Sequence, residues 1–236
     1  DKTSWNFTSA DETAPTVTFS PTDGATDVTL ASNITLTFSE AVRNTDDSAL
    51  TDTNVDALIT LKETDASGSD IAFDATIDSD KKVITVDPSS DLSYSQVVYV
   101  AVGATVEDGV NNAVSASSAT FTAVANNAPV ATAQTVTATE DTEVTITLAG
   151  TDAEGSALTY SISTLPTNGV LYQTSDGTTR GDAFTTVPTT VTNSEFKVIY
   201  LPPSNANGDG YGNFGFKVND GTETSAEATV TVNVTA

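Results

Sequence analysis

The residues best placed to do chemistry in this chain are carboxylates in short polar loops. TDAEGS sets Asp152 and Glu154 two positions apart, and VNDGTE puts Asp220 at an Asp-Gly turn. Glu40 lies in FSEAV, Asp108 in VEDGVNN, Asp11 and Glu12 in DETAP, and Glu140 with Asp141 in ATEDTE. The sequence has no histidine and no cysteine, so imidazole and thiolate ligand sets are excluded and only oxygen ligands remain. Calcium fits that inventory. It takes about six to eight oxygens in tolerant geometry, and an Asp-x-Glu spacing in a loop aims two carboxylates at one point. The competing role is structural, because Asp-Gly is a turn dipeptide and recurs at Asp23, Asp108, Asp176, Asp209 and Asp220.

Other chemistries find no support. There is no histidine to act as a general base, no Gly-x-Ser-x-Gly elbow and no phosphate-binding loop, so a non-enzyme is expected. Thirty-two acidic against eight basic residues give a net charge of −24, the wrong sign for nucleic acid or an anionic membrane surface. Most of that acidity reads as solubility or as adaptation to salty water. No apolar run approaches the ~18 residues of a membrane span, and neither end reads as a signal peptide, so no membrane insertion is expected.

The elements that must position these carboxylates are strands. At 38% hydrophobic residues the chain can build real cores, and its apolar residues are mostly Val, Ile, Leu, Phe and Ala, interleaved with much threonine, a β-branched composition that favours sheet. VTFS, NITLTFS, ALITLKE, IAFDATI, KKVITVD, VVYVAVG and SATFTA alternate or run apolar between Asp, Gly, Ser, Asn and Pro clusters. The second half repeats the habit with APVATAQTVTA, VTITLAG, LTYSIS, GVLYQ, FKVIYL, FGFKVND and ATVTVNV. About seven short strands per hundred residues predict an all-β chain of two tandem immunoglobulin-like sandwiches.

The opening of the chain repeats the end of its first half. Ser4, Phe7, Thr8, Ala14 and Pro15 match Ser118, Phe121, Thr122, Ala128 and Pro129 at a constant offset. Residues 1–10 therefore read either as the last strand of a preceding repeat or as an extra edge strand, residues 11–125 as the first sandwich, and 126–236 as the second. In such sandwiches alternate loops gather at one end. Asp152, Glu154 and Asp220 would meet there with Asn126 and Asn127 of the entering linker, and Asp11, Glu12, Glu40 and Asp108 would meet at the equivalent end of the first sandwich. Glu140 and Asp141 fall in a turn at the far end of the second.

APTVTFSPTDGATDVTLASNITLTFSEAV, with VYVAVGATVEDGVNNAV and ATFTA, resembles the bacterial Ig-like domains of surface-layer proteins and giant adhesins. NNAPVA, TEDTEVTITLAGTDAEGSALTYSI, NGVL, VIYLPP and FKVNDG are similar to the cadherin-like tandem repeats of bacterial RTX adhesins. The second half departs from that pattern at NGDGYGNF, Asn207 to Phe214, where the repeats usually carry Gly-x-Asp-x-Phe. The resemblance implies a secreted cell-surface protein, elongated, with a calcium junction like that of cadherins at the linker; carboxylates from the lower end of the first sandwich, Asp23, Asp27, Asp87 and Asp91, are candidates to complete its shell. The expected role is a calcium-stiffened extender in an adhesin, monomeric, its partners the neighbouring repeats of the same chain. The other reading is a carbohydrate- or peptide-binding domain, favoured by the long polar stretch Tyr172 to Phe196 with Tyr172, Arg180 and Phe184; host or surface glycans and peptides would otherwise meet other domains of the adhesin.

Overall fold

The structure, a computed structural model, describes residues 11–236. The expected strand within residues 1–10 lies outside the described residues. The chain divides into two compact units, the first ending at Ala125 and the second running Asn126–Ala236. Among the described residues no helix is long and apolar enough to cross a membrane.

The first unit holds β1 (Val17–Ser20), β2 (Ile34–Phe38), β3 (Arg43–Asn44), β4 (Ile59–Glu63), β5 (Phe73–Ile77), β6 (Val83–Pro88), β7 (Val97–Val102), β8 (Val106–Glu107) and β9 (Ser117–Thr122). One sheet has the order β1-β2-β6-β5 and the other β4-β7-β9. Lettered A to G in chain order, the seven longer strands give A-B-E-D facing C-F-G, the constant-type immunoglobulin arrangement. The period-two signal is the cause: burial alternates along β6 and β7, so Ile84, Val86, Val98 and Val100 share one interior with Ile34, Leu36 and Phe121. The two-residue pair β3 and β8 forms a separate ribbon, Arg43 opposite Glu107 and Asn44 opposite Val106.

The edge strand β5 is closed by carboxylates. The amides of Ala75 and Ile77 donate to Asp56 Oδ1 (2.8 Å) and Asp52 Oδ1 (2.9 Å), covering N–H groups that would otherwise invite another strand.

The second unit contains β10 (Val130–Ala131), β11 (Gln134–Thr139), β12 (Val144–Thr147), β13 (Gly150–Thr151), β14 (Thr159–Thr164), β15 (Val170–Tyr172), β16 (Thr189–Thr190), β17 (Lys197–Leu201), β18 (Phe214–Asn219) and β19 (Ala228–Thr235). Its sheets run β11-β19-β18-β14-β16 and β12-β17-β15, and β10 pairs with β13. The parallel pairing of β11 with β19 brings the first long strand of the unit against the last. Tyr200, Phe214, Phe216 and Ile162 fill the interior. Tyr200 is wholly buried and its Oη donates to the Asn168 carbonyl at 2.8 Å. Two glycines make room for its ring: a Cβ on Gly212 would stand 2.0 Å from Tyr200 Oη, and one on Gly169, whose φ is +80°, would stand 2.5 Å from it.

The polar stretch after β15 folds as a pinned hairpin. Phe184 N donates to Leu171 O, Gln173 N to Asp182 O, and Gly181 N to Gln173 O. At its tip Asp176 Oδ1 accepts from the amides of Thr178 (2.8 Å) and Thr179 (2.7 Å), and Oδ2 accepts from the Thr179 hydroxyl. Those donors hold the Asp176 carboxyl well below the usual carboxylate range.

Two outcomes are expected. Gly212→Ala overpacks Tyr200 and should cost about 1–3 kcal/mol, lowering the urea midpoint at an unchanged slope; an unchanged midpoint would show that the ring is not confined. Because the folded-state pKa of Asp176 is depressed, its contribution is fully present above the unfolded value of about 3.9 and is lost as pH falls through the folded value. Asp176→Ala should therefore melt below the wild type at neutral pH, with the gap narrowing on acidification below about pH 4. A pH-independent gap would contradict this.

Candidate functional site

The carboxylate loops share one construction. Asp108 leaves β8 at the turn before β9, and its Oδ1 accepts from the amides of Val110 (2.8 Å) and Asn112 (2.9 Å), while Oδ2 accepts from Asn112 Nδ2 (2.7 Å). The residue is only 1% exposed. Burial works against its charge, yet the Asn112 amide and side chain, the Val110 amide and the Arg43 cation outweigh it and hold the carboxyl below its usual range.

Asn112 Nδ2 also donates to the Asp11 carbonyl (3.1 Å), which brings the start of the described chain to the same place. Glu40, from the turn after β2, completes the group. Asp11, Glu40 and Asp108 each offer an oxygen, and these oxygens all lie within 4.8 Å of one another. Among the described residues this is the only set of three or more acidic side chains that close; Glu12 is not part of it. The β3–β8 ribbon sets Arg43 beside the group, its Nη2 3.2 Å from Glu107 Oε1 and 2.5 Å from both Asp47 Oδ1 and Asn111 Oδ1. That one positive charge is shared among Asp47, Glu107 and the nearby Asp108, so it does not neutralise the group of three acids.

In the second unit the sequence-derived residues are joined differently. Asp152, after β13, accepts at Oδ1 from the amides of Glu154 (3.1 Å) and Ser156 (2.8 Å). Asp220, after β18, accepts at Oδ1 from the amides of Thr222 and Glu223 at 2.6 Å each. The linker asparagines bridge to these loops. Asn126 Nδ2 donates to Asp220 Oδ2 (2.9 Å), Asn127 Nδ2 to Glu154 Oε1 (2.6 Å), and Asn127 N to Glu154 Oε2 (3.2 Å). The Glu223 amide first and the Asn126 side chain second hold the Asp220 carboxyl below its usual range. Asp152, Glu154 and Asp220 do not form a mutually close set by the measure that Asp11, Glu40 and Asp108 meet.

Two oxygens in this linker region stand out. Asn126 Oδ1 and Asp152 Oδ2 are buried and accept no hydrogen bond. A buried acceptor without a donor is costly, and a hard cation is one partner that satisfies it. Glu140 and Asp141 occupy the turn between β11 and β12, where Glu140 N donates to Thr235 O and Asp141 Oδ1 accepts from Asn205 N (3.2 Å). Asp23, considered above as a shell residue, uses its Oδ1 on the Thr120 amide within its own unit.

Sequence reasoning missed Asn112, which ties Asp11 to Asp108, and Arg43, whose place depends on a two-residue ribbon without periodicity. It also missed the cavity of about 430 Å³ beside the hairpin, lined by Gln173, Asp182, Phe184, Thr186, Thr189 and Thr192 among others.

Comparisons with known proteins agree on the fold family. The family described as bacterial Ig-like domain matches residues 11–123, and the family described as SibA-like, immunoglobulin-like domain matches residues 111–234, more than half of the chain. No curated protein matches. Among solved structures, titin domains Z1Z2 in complex with telethonin are 9% identical over 96% of this chain and 98% of that one, with a TM-score of 0.42. The N-terminal part of the bacterial S-layer protein SbsC is 13% identical over 94% of this chain, which spans 44% of that structure, with a TM-score of 0.34. Both scores lie below 0.5, so the assignment rests on the sequence families. The chain belongs to the SibA-like immunoglobulin-like domain family, and residues 11–123, which overlap the start of that match, are similar to the bacterial Ig-like domain family.

Proposed function

We propose that this chain is a calcium-stiffened spacer of a long, secreted bacterial surface adhesin, holding a distal binding domain away from the cell. The observation that carries the reading is the pair of buried, donorless oxygens Asn126 Oδ1 and Asp152 Oδ2, one on the linker and one on the loop between β13 and β14. Asp220 and Glu154 already grip the linker asparagines and, with the carbonyl groups of Asn126 and Asn127, supply the remaining oxygens for an ion there. Asp11, Glu40 and Asp108 form the corresponding site of the first unit. Glu140 and Asp141 would serve a following repeat in the same way.

Calcium supplies charge neutralisation and a crosslink among oxygens. The chain's own residues do the rest: Asp152 Oδ1 and Asp220 Oδ1 fix their loops through backbone amides, leaving the second carboxylate oxygen of each facing the linker side chains or unpartnered. An ion shared by linker and loop restrains the linker, where motion between domains is otherwise the default. On this reading the second unit is one cadherin-like repeat of an RTX-type adhesin, the protein is monomeric, it performs no catalysis, and its partners are neighbouring repeats of the same chain. A second reading, supported by the cavity beside the hairpin, is a sugar-binding domain; a glycan array tests it, and a hit lost on Thr189→Val would favour it.

Calorimetry tests the spacer reading. Calcium should bind with dissociation constants of about 10⁻⁴ to 10⁻³ M. At tenfold the dissociation constant each site should add roughly 1.4 kcal/mol to stability. Asp152→Asn keeps the loop-fixing oxygen but removes the ligand, so it should delete one binding event and leave the others. Melting unchanged between calcium and chelator would contradict the reading.

A further inference from the structure

The return arm of the hairpin after β15 carries Arg180, Gly181 and Asp182 in succession, all three exposed. Arg180 is one of only two arginines in the chain, and the other, Arg43, is committed to Asp47, Glu107 and Asn111. We propose that this tripeptide is a recognition element for an animal-cell adhesion receptor of the Arg-Gly-Asp-reading class, one that takes a carboxylate on a bound divalent cation and a guanidinium in an acidic cleft.

The hairpin presents the tripeptide in a defined conformation. Gly181 N donates to Gln173 O and Asp182 O accepts from Gln173 N, so two of its three residues are fixed by backbone pairing to the outgoing arm. Asp176 closes the tip by accepting from the amides of Thr178 and Thr179, the latter immediately before Arg180. A segment held this way has less conformational freedom to lose on binding than an open loop. Gly181 has a steric reason of its own, since a Cβ there would stand 3.2 Å from Gln173 O.

The two charged side chains are available in the way such a receptor needs. The Asp182 carboxylate has no hydrogen bond or ion pair with any described residue, and the residue is exposed at the lining of the cavity. Arg180 lies with Cζ 5.2 Å from the Tyr172 ring centroid and Nε 2.9 Å from Glu143 Oε2. The two side chains of that ion pair are 44% and 39% exposed, so the pair is weak and a desolvated acidic cleft outcompetes it. In a chain of net charge −24 a merely basic partner would find sites everywhere. A cation and an anion two positions apart select a partner bearing the opposite pair.

The proposal goes beyond the spacer reading and does not depend on it, because none of these residues belongs to a calcium site. The test passes a purified Arg-Gly-Asp-binding integrin ectodomain, in magnesium and manganese, over the immobilised 236-residue chain. Saturable binding is expected, abolished by free Gly-Arg-Gly-Asp-Ser peptide and untouched by its glutamate analogue. Asp182→Glu should weaken binding at least about tenfold with an unchanged melting temperature and unchanged calcium stoichiometry, and Arg180→Lys should weaken it as well. Glu143→Gln, which frees the guanidinium, should tighten binding by up to about fivefold. Absence of binding by the wild type, binding that the peptide does not displace, or equal binding by Asp182→Glu would each overturn the proposal.

Discussion

A chain with thirty-two carboxylates and eight cations cannot neutralise its acids by ion pairing, so the backbone must supply the donors. It does so by a repeated device: one oxygen of an aspartate accepts amide N–H groups two to four residues ahead and fixes its own loop. Asp46, Asp65, Asp108, Asp152, Asp176 and Asp220 all use it. The arrangement makes tight loops where the sheets end, and at Asp46, Asp65, Asp108, Asp176 and Asp220 it favours the charged form. It also leaves the second oxygen of each aspartate to find another partner.

The identity of that second partner separates structural loops from candidate sites. At Asp176 it is the Thr179 hydroxyl, which closes the turn; at Asp108 it is the Asn112 side chain, which also holds the Asp11 carbonyl and so gathers the acidic group of the first unit. At Asp220 it is Asn126, which draws the linker into the loop. At Asp152 there is none. The same loop chemistry thus ranges from a closed turn to an open ligand, and the linker region contains the open end of that range.

The strands were legible because their cores impose a period of two that survives in single residues such as Ile84, Val86, Val98 and Val100. All seven runs in each half became strands, since a half-buried pleat leaves few alternatives for β-branched residues. The short strands β3, β8 and β16 were not legible. Two residues carry no period, and their pairing is decided by the sheets around them. Among the candidate ligands, Asp11, Glu40 and Asp108 could be placed together from loop order alone, because three loops at one end of a sandwich have little room to diverge. Their closeness could not, as it depends on Asn112 holding both Asp11 and Asp108. The hydrogen bonds of Asn126 and Asn127 were hidden for a similar reason: composition announces an amide but not which of its two ends is used. Arg180-Gly181-Asp182 was visible as letters and became meaningful only once the hairpin fixed and exposed it.

The account stands on the view that the donorless oxygens near the linker exist to hold a cation. Long-wavelength diffraction from crystals grown with calcium addresses it directly. The expected result is an anomalous peak at about 2.3–2.6 Å from Asp152 Oδ2 and Asn126 Oδ1. Ordered water donating hydrogen bonds to both oxygens, with no anomalous signal there, would contradict it.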